Sequence, residues 1–215
     1  LPCPADGRLA STAANAGLER RNAGSCNVTG VAGTEQYGVV PWVTLGLTES
    51  DATDGWYHRF TYRTSLALVA DSALDMSWCD PAGTGGLAAG VCNTTCTSAS
   101  LGNCTPPSTY LQNKGLQIKN VAGTIVMDPG NPPYTGAAYV VISAGSTGGG
   151  VYLSSGQIGT SITTDGTEEA KNYADKAIQA YYVDDSISDG AGTSHFDDIV
   201  SRPSLLTVIN KAGLG

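Results

Sequence analysis

Ala137-Ala-Tyr-Val-Val-Ile-Ser143 runs into Gly145-Ser-Thr-Gly-Gly-Gly150 and then Val151-Tyr-Leu-Ser154. The first run is apolar and of strand length, and the glycines tolerate the positive φ values of a tight hairpin. The spacing therefore predicts a strand over 137–143 with 151–154 as its hairpin partner. Leu116–Met127 carries the other strong strand signal. Trp56, His58, Phe60 and Tyr62 alternate with polar residues, which predicts one face of a strand. Tyr37–Leu47 is apolar but interrupted by Pro41, which reads as an edge strand or an extended turn packed on the core.

Helical signals are fewer. Ala170, Tyr173, Ala174, Ala177, Ile178 and Tyr181 recur at helical spacing, so Thr167–Tyr182 is the clearest predicted helix, with Glu168 and Glu169 at its positive end. Pro203–Ala212 predicts a second, short helix, with Ser201 near its cap and Gly213 just past its end. Ser11–Arg21 is helix-permissive. Strands in the centre, few helices and long loops place the chain in the α+β class.

Working outward, the whole chain has 215 residues, a length that suits one domain over 1–215. It carries 11 Lys and Arg against 19 Asp and Glu, a net charge of −8. Nucleic acid is a poor partner for such a chain, because phosphates need clustered cations. Charged residues make up only 14%, while 28 Gly and 10 Pro point to a loop-rich, β-containing protein with a polar, weakly charged surface. No apolar run approaches the roughly 20 residues that span a bilayer.

Six cysteines, Cys3, Cys26, Cys79, Cys92, Cys96 and Cys104, are spaced unlike a zinc site, the nearest pair being Cys92-x3-Cys96. Three disulfides are the expectation: Cys3–Cys26 by proximity, then two bridges among the other four. Disulfides imply the periplasm or the cell exterior. Asp71–Pro107, with four cysteines and many small polar residues, reads as an insertion over about 71–107. Asn27-Val-Thr, Asn93-Thr-Thr and Asn103-Cys-Thr match the glycosylation triplet, which polar loops also produce by chance.

Motifs of catalysis are sparse. Val141-Ile-Ser-Ala-Gly145 lacks the first glycine of a serine-hydrolase elbow, and there is no phosphate-binding glycine loop and no H-E-x-x-H. His58 sits among aromatics, where a packed histidine is the ordinary reading. His195 lies in Thr193-Ser-His-Phe-Asp-Asp198, and a dispersed Ser/His/Asp site would have to use one of these two histidines. Asp184, Asp185, Asp189, Asp197 and Asp198 crowd a loop with Gly190 and Gly192. Turn-forming and capping carboxylates are the ordinary reading. Oxygen-rich loops also bind calcium, which makes Asp184, Asp185 and Asp189 the candidate ligands.

Taken in order, Leu1-Pro-Cys-Pro-Ala-Asp6, Gly38-Val-Val-Pro-Trp-Val-Thr-Leu-Gly-Leu47, Trp56-Tyr-His-Arg-Phe-Thr-Tyr62, Ala138-Tyr-Val-Val-Ile-Ser-Ala-Gly145 and Phe196-Asp-Asp-Ile-Val200 resemble type IV pilin-like proteins and the pseudopilins of type II secretion. The cysteine-rich block has no counterpart in that pattern. The resemblance implies a pilin-like antiparallel sheet packed on a helical spine, with disulfide-stapled loops. It implies that an apolar helix precedes Leu1, so that this chain is the globular head of a longer precursor and meets the membrane only through that helix. It also implies a calcium site, where present, near the C-terminus.

The function expected on this basis is structural and non-enzymatic. The chain would be a subunit of a bacterial extracellular or cell-surface filament, exposed to the periplasm before assembly, with copies of itself or other pilins as partners. An alternative is a minor or tip pilin that binds a surface through the cysteine-rich block with Trp78 and Tyr110. A secreted hydrolase with a dispersed site is the third reading.

Overall fold

The computed structural model describes residues 1–22, 25–26, 36–69, 110–159, 166–190 and 195–213. Five strands form the central sheet in the order β1 (Ala5–Asp6), β4 (Gly38–Val39), β5 (Thr61–Thr64), β8 (Tyr139–Ser143) and β12 (Ile199–Ser201), all antiparallel. A three-stranded sheet joins β7 (Ile125–Met127), β6 (Ile118–Lys119) and β9 (Tyr182–Val183), the last pair being parallel. Among the described residues two small pairs complete the strands: β2 (Arg21–Asn22) with β3 (Ser25–Cys26), and β10 (Ser188–Asp189) with β11 (His195–Phe196). The molecule is thus mostly antiparallel sheet with a short α-helix, Leu205–Lys211.

The pleat of β8 sorts its residues. Val140 and Ile142 are fully buried against Leu116, Ile118, Met127, Ala137 and Tyr182, between the two sheets. Tyr139 and Val141 point to the other face, where they pack on Val40, Trp42 and Tyr62 and stay half-buried. The C-terminal helix is capped by Ser204, whose side chain accepts from Thr207 N–H at 3.2 Å, rather than by Ser201. Its inner residues Leu205 and Ile209 pack on Leu68, Tyr110, Leu111 and Ala138.

Five expectations need correction. Thr167–Tyr182 is not a helix: a single 3-10 turn, Glu169–Asn172, gives way to extended chain at Tyr173. The carbonyls a helix would use internally are taken elsewhere. Arg63 Nη2 donates to Tyr173, Ala174 and Lys176, and Tyr37 N–H donates to Ala174. The 151–154 segment does not pair with β8, because β5 and β12 occupy both edges of that strand. Instead Tyr152 bridges Arg59 and Ile158. Trp56 and His58 lie in a turn, so they do not share a strand face with Tyr62. Asp54 Oδ1 accepts both their N–H groups at 2.9 Å. Within Tyr37–Leu47, Gly38–Val39 form β4, an internal rather than an edge strand, and buried Pro41 and Trp42 lead into a turn. Within Ser11–Arg21, residues 11–17 are a run of turns, after which Glu19 bridges Ala5 and Arg21 enters β2.

Cys3 and Cys26 are joined by a disulfide, their Cα atoms 5.3 Å apart, and both are buried beside Val69. Cys79, Cys92, Cys96, Cys104, Trp78 and the three glycosylation triplets lie outside the described residues or extend beyond them. No helix among the described residues is long and apolar enough to cross a membrane.

Candidate functional site

Beside the N-terminus the outer face of the central sheet is incompletely covered. Leu1 N donates to Leu68 O at 2.8 Å, and Tyr62 Oη donates to Pro2 O at 3.1 Å, which fixes these residues against β5 and the turn after it. Leu1, Pro2, Phe60, Tyr139 and Val141 then wall an apolar groove of about 330 Å³, closed at one side by Leu45 and Leu47. Those two leucines remain 48% and 43% exposed. The groove's one charged lining residue, Asp51, is committed to a cap: its Oδ2 accepts Thr48 N–H at 2.9 Å and Thr48 Oγ1 at 2.6 Å. Apart from Asp51 the lining is aliphatic and aromatic, a composition suited to apolar side chains.

A second, polar site gathers where the 3-10 turn meets β11. Glu169, almost fully buried, places Oε2 3.0 Å from His195 Nδ1 and 3.0 Å from Gly166 N, while Oε1 accepts Asp197 N–H at 3.1 Å. Asp197 in turn holds the glycine-rich turn after β8, accepting from Ser146 Oγ and Thr147 N at 3.1 Å and from Thr147 Oγ1 at 2.9 Å. Burial pushes the Glu169 carboxyl above its ordinary value. Burial also opposes ionisation of Asp197, but hydrogen bonds from Glu169, Thr147 and Ser146 outweigh it and hold Asp197 below its ordinary value. The two carboxyl groups are thus pushed in opposite directions. Their ligand atoms and those of His195 lie within 4.8 Å of one another, a donor set that a divalent cation could also use.

The predicted calcium ligands do not converge. Asp184 hydrogen-bonds Arg202 Nε, Asp185 accepts from Val121 N at 3.0 Å and Ser186 N at 2.7 Å, and Asp189 is an exposed residue of β10. Among the described residues they form no shared ligand group; strand pairing carries Asp189 away while Arg202 neutralises Asp184. Asp198 is buried and accepts from Asn172 Nδ2 at 2.7 Å, a packing role.

Neither histidine is bonded to a nucleophilic serine in the described residues. Ser143 Oγ donates to Asp54 Oδ2 at 2.7 Å, and His58 Nδ1 sits 3.6 Å from that same oxygen, under Gly148. Tyr110 is buried, with Lys114 Nζ 3.5 Å from its ring centre. No protein-family model, curated protein or solved structure matches the chain.

Sequence reading missed Arg59 and Arg63, the two largest fully buried side chains. Arg59 is held by Glu49 at 2.7 Å and by the carbonyls of Gly7, Leu9 and Ser154. The available signal was their place: charged residues two and six positions beyond Tyr57, on either side of Phe60 and Tyr62.

Proposed function

We propose that this chain is the globular head of a type IV pilin-like or pseudopilin filament subunit, acting by self-assembly at the bacterial cell surface, with copies of itself or other pilins as partners. The observation that carries this reading is the apolar groove on the outer face of the central sheet, at Leu1. An apolar groove in water is a surface waiting for an apolar partner, and covering it is favourable at about 25 cal/mol per Å². A long apolar helix of the pilin type has the right chemistry to fill it. The order of the resembling motifs supports the same reading, as does the antiparallel sheet on which Phe60, Tyr139 and Val141 are displayed. The acidic, weakly charged surface suits association through apolar and hydrogen-bonded patches rather than ion pairs.

The test is cryo-electron microscopy of cell-surface material from the producing cells, with Val141→Arg beside the wild type. Ordered filaments containing this chain, lost in Val141→Arg while the isolated variant keeps its melting temperature, are the expected result. Monodisperse monomers alone, even for the full precursor in cells, would overturn the reading.

A further inference from the structure

Just past the end of β5, beside residues 65–67, the loop 113–117, the turn 128–131 and the segment 178–180 line a second depression of about 550 Å³, open to solvent. Its volume is that of a small-molecule site. Its walls are tied together: Asn113 N–H donates to Pro129 O at 2.7 Å, Tyr182 N–H to Gln117 O at 3.0 Å, and Gln179 N–H to Tyr182 Oη at 3.4 Å.

Four carboxamides line it, Asn113, Gln117, Asn131 and Gln179, with Asp128 among them and Ile178 as an apolar wall. Each primary amide carries two N–H donors and an acceptor. The bonds to Asp128 and to Ala177 O engage Nδ2 of Asn131 and Nε2 of Gln179, each of which has a second N–H. Asp128 is oriented in advance. Its Oδ2 accepts from Asn131 Nδ2 at 2.9 Å and its Oδ1 from Gly130 N at 2.8 Å, which keeps it ionised below its ordinary value.

This lining selects a ligand class. No Lys or Arg lines the depression, and Asp128 repels anions, so phosphate and carboxylate ligands are disfavoured. A ligand that is wholly apolar would leave the amides and Asp128 unsatisfied. Capture of a peptide by strand addition is closed off, because the main-chain groups here are already paired: Leu116 with Ala137, Gln117 with Tyr182, Asn113 with Pro129. What remains is a neutral, hydroxyl-rich molecule with one apolar face. We propose that this groove is a binding site for neutral saccharides, with Asp128 and the four carboxamides bonding ring hydroxyls and Ile178 meeting the apolar face of the sugar. The proposal stands independently of filament assembly.

The test is a ¹H–¹⁵N NMR titration of the 215-residue chain with cellobiose, maltose and N,N′-diacetylchitobiose, with digalacturonate and tetra-alanine as the charged and peptide probes. The expected result at about 10 mM sugar is displacement of the side-chain NH₂ signals of Asn113, Gln117, Asn131 and Gln179 by at least one neutral sugar, and weakening by about tenfold or more in Asp128→Asn. Gln179→Ala serves as the second variant if Asp128→Asn does not fold, and the same weakening is expected of it. Absence of these shifts with all three neutral sugars, shifts produced only by digalacturonate or by the peptide, or binding that neither variant weakens would overturn the proposal.

Discussion

The Arg63 guanidinium donates to the carbonyl of Ala174 at 2.8 Å, across 111 residues of chain. Its Nη2 also reaches the carbonyls of Tyr173 and Lys176, and its Nη1 that of Gly38. A cation that is fully buried thus acts as the hydrogen-bond partner of a non-helical segment. Arg63→Met should lower stability by about 3 kcal/mol, since it orphans several buried carbonyls. Arg63→Lys should recover only part of this, because an ammonium cannot reproduce the fork. Urea denaturation of the two variants checks both statements; wild-type stability in Arg63→Met would refute the role.

Glu169 and Asp197 make stability depend on pH in opposite senses. Glu169 is raised above 4.5 by burial, so its neutral form is favoured on folding; its contribution is full below 4.5 and is lost as pH rises through the folded value. Asp197 lies below 3.8, so its contribution is present above 3.8 and is lost as pH falls through the folded value. Glu169→Gln keeps a donor toward Asp197 without the titrating proton. Its melting temperature should therefore fall less than that of the wild type as pH rises from 4.5 through the folded value of Glu169. Parallel curves for the two proteins would count against a raised Glu169.

Asp54 serves one turn and one strand. Asp54→Ala frees the N–H groups of Trp56 and His58 and the hydroxyl of Ser143, and should cost about 2 kcal/mol. Ser143→Ala should cost about 1 kcal/mol. Because the two share a bond, the double variant should lose less than the sum, which a double-mutant cycle by chemical denaturation would read.

The Cys3–Cys26 bridge closes a sequence separation of 23 residues beside Val69. Replacing both cysteines by serine should lower stability by about 3 kcal/mol through the freed unfolded chain. Equal melting temperatures for the oxidised protein and the double variant would exclude a stabilising role.

Strand positions were the most legible part of the sequence. The 137–143 run became β8, and the 116–127 run became β6 and β7, because uninterrupted apolar segments of strand length have few other uses in a small core. The C-terminal helix was legible for a similar reason: its apolar spacing and Gly213 lie close together, although its cap is Ser204 and not Ser201. The polar site was half legible. Asp197 and His195 stood out as residues, but Glu169 read as the acidic start of a helix, since nothing local announces a carboxyl partner 28 residues away.

Sequence alone therefore determined the α+β class, the apolar strands, the short C-terminal helix and the scarcity of catalytic motifs, all properties set by patterns within a few turns of chain. Tertiary structure decided the rest. Whether 167–182 is helix or loop depended on Arg63 arriving from β5 to take its carbonyls. Which strand flanks β8 depended on β5 and β12 competing with the nearer 151–154 segment. Both outcomes turn on hydrogen bonds between residues tens of positions apart, and their free energy overrides local preferences worth less than about 1 kcal/mol per residue.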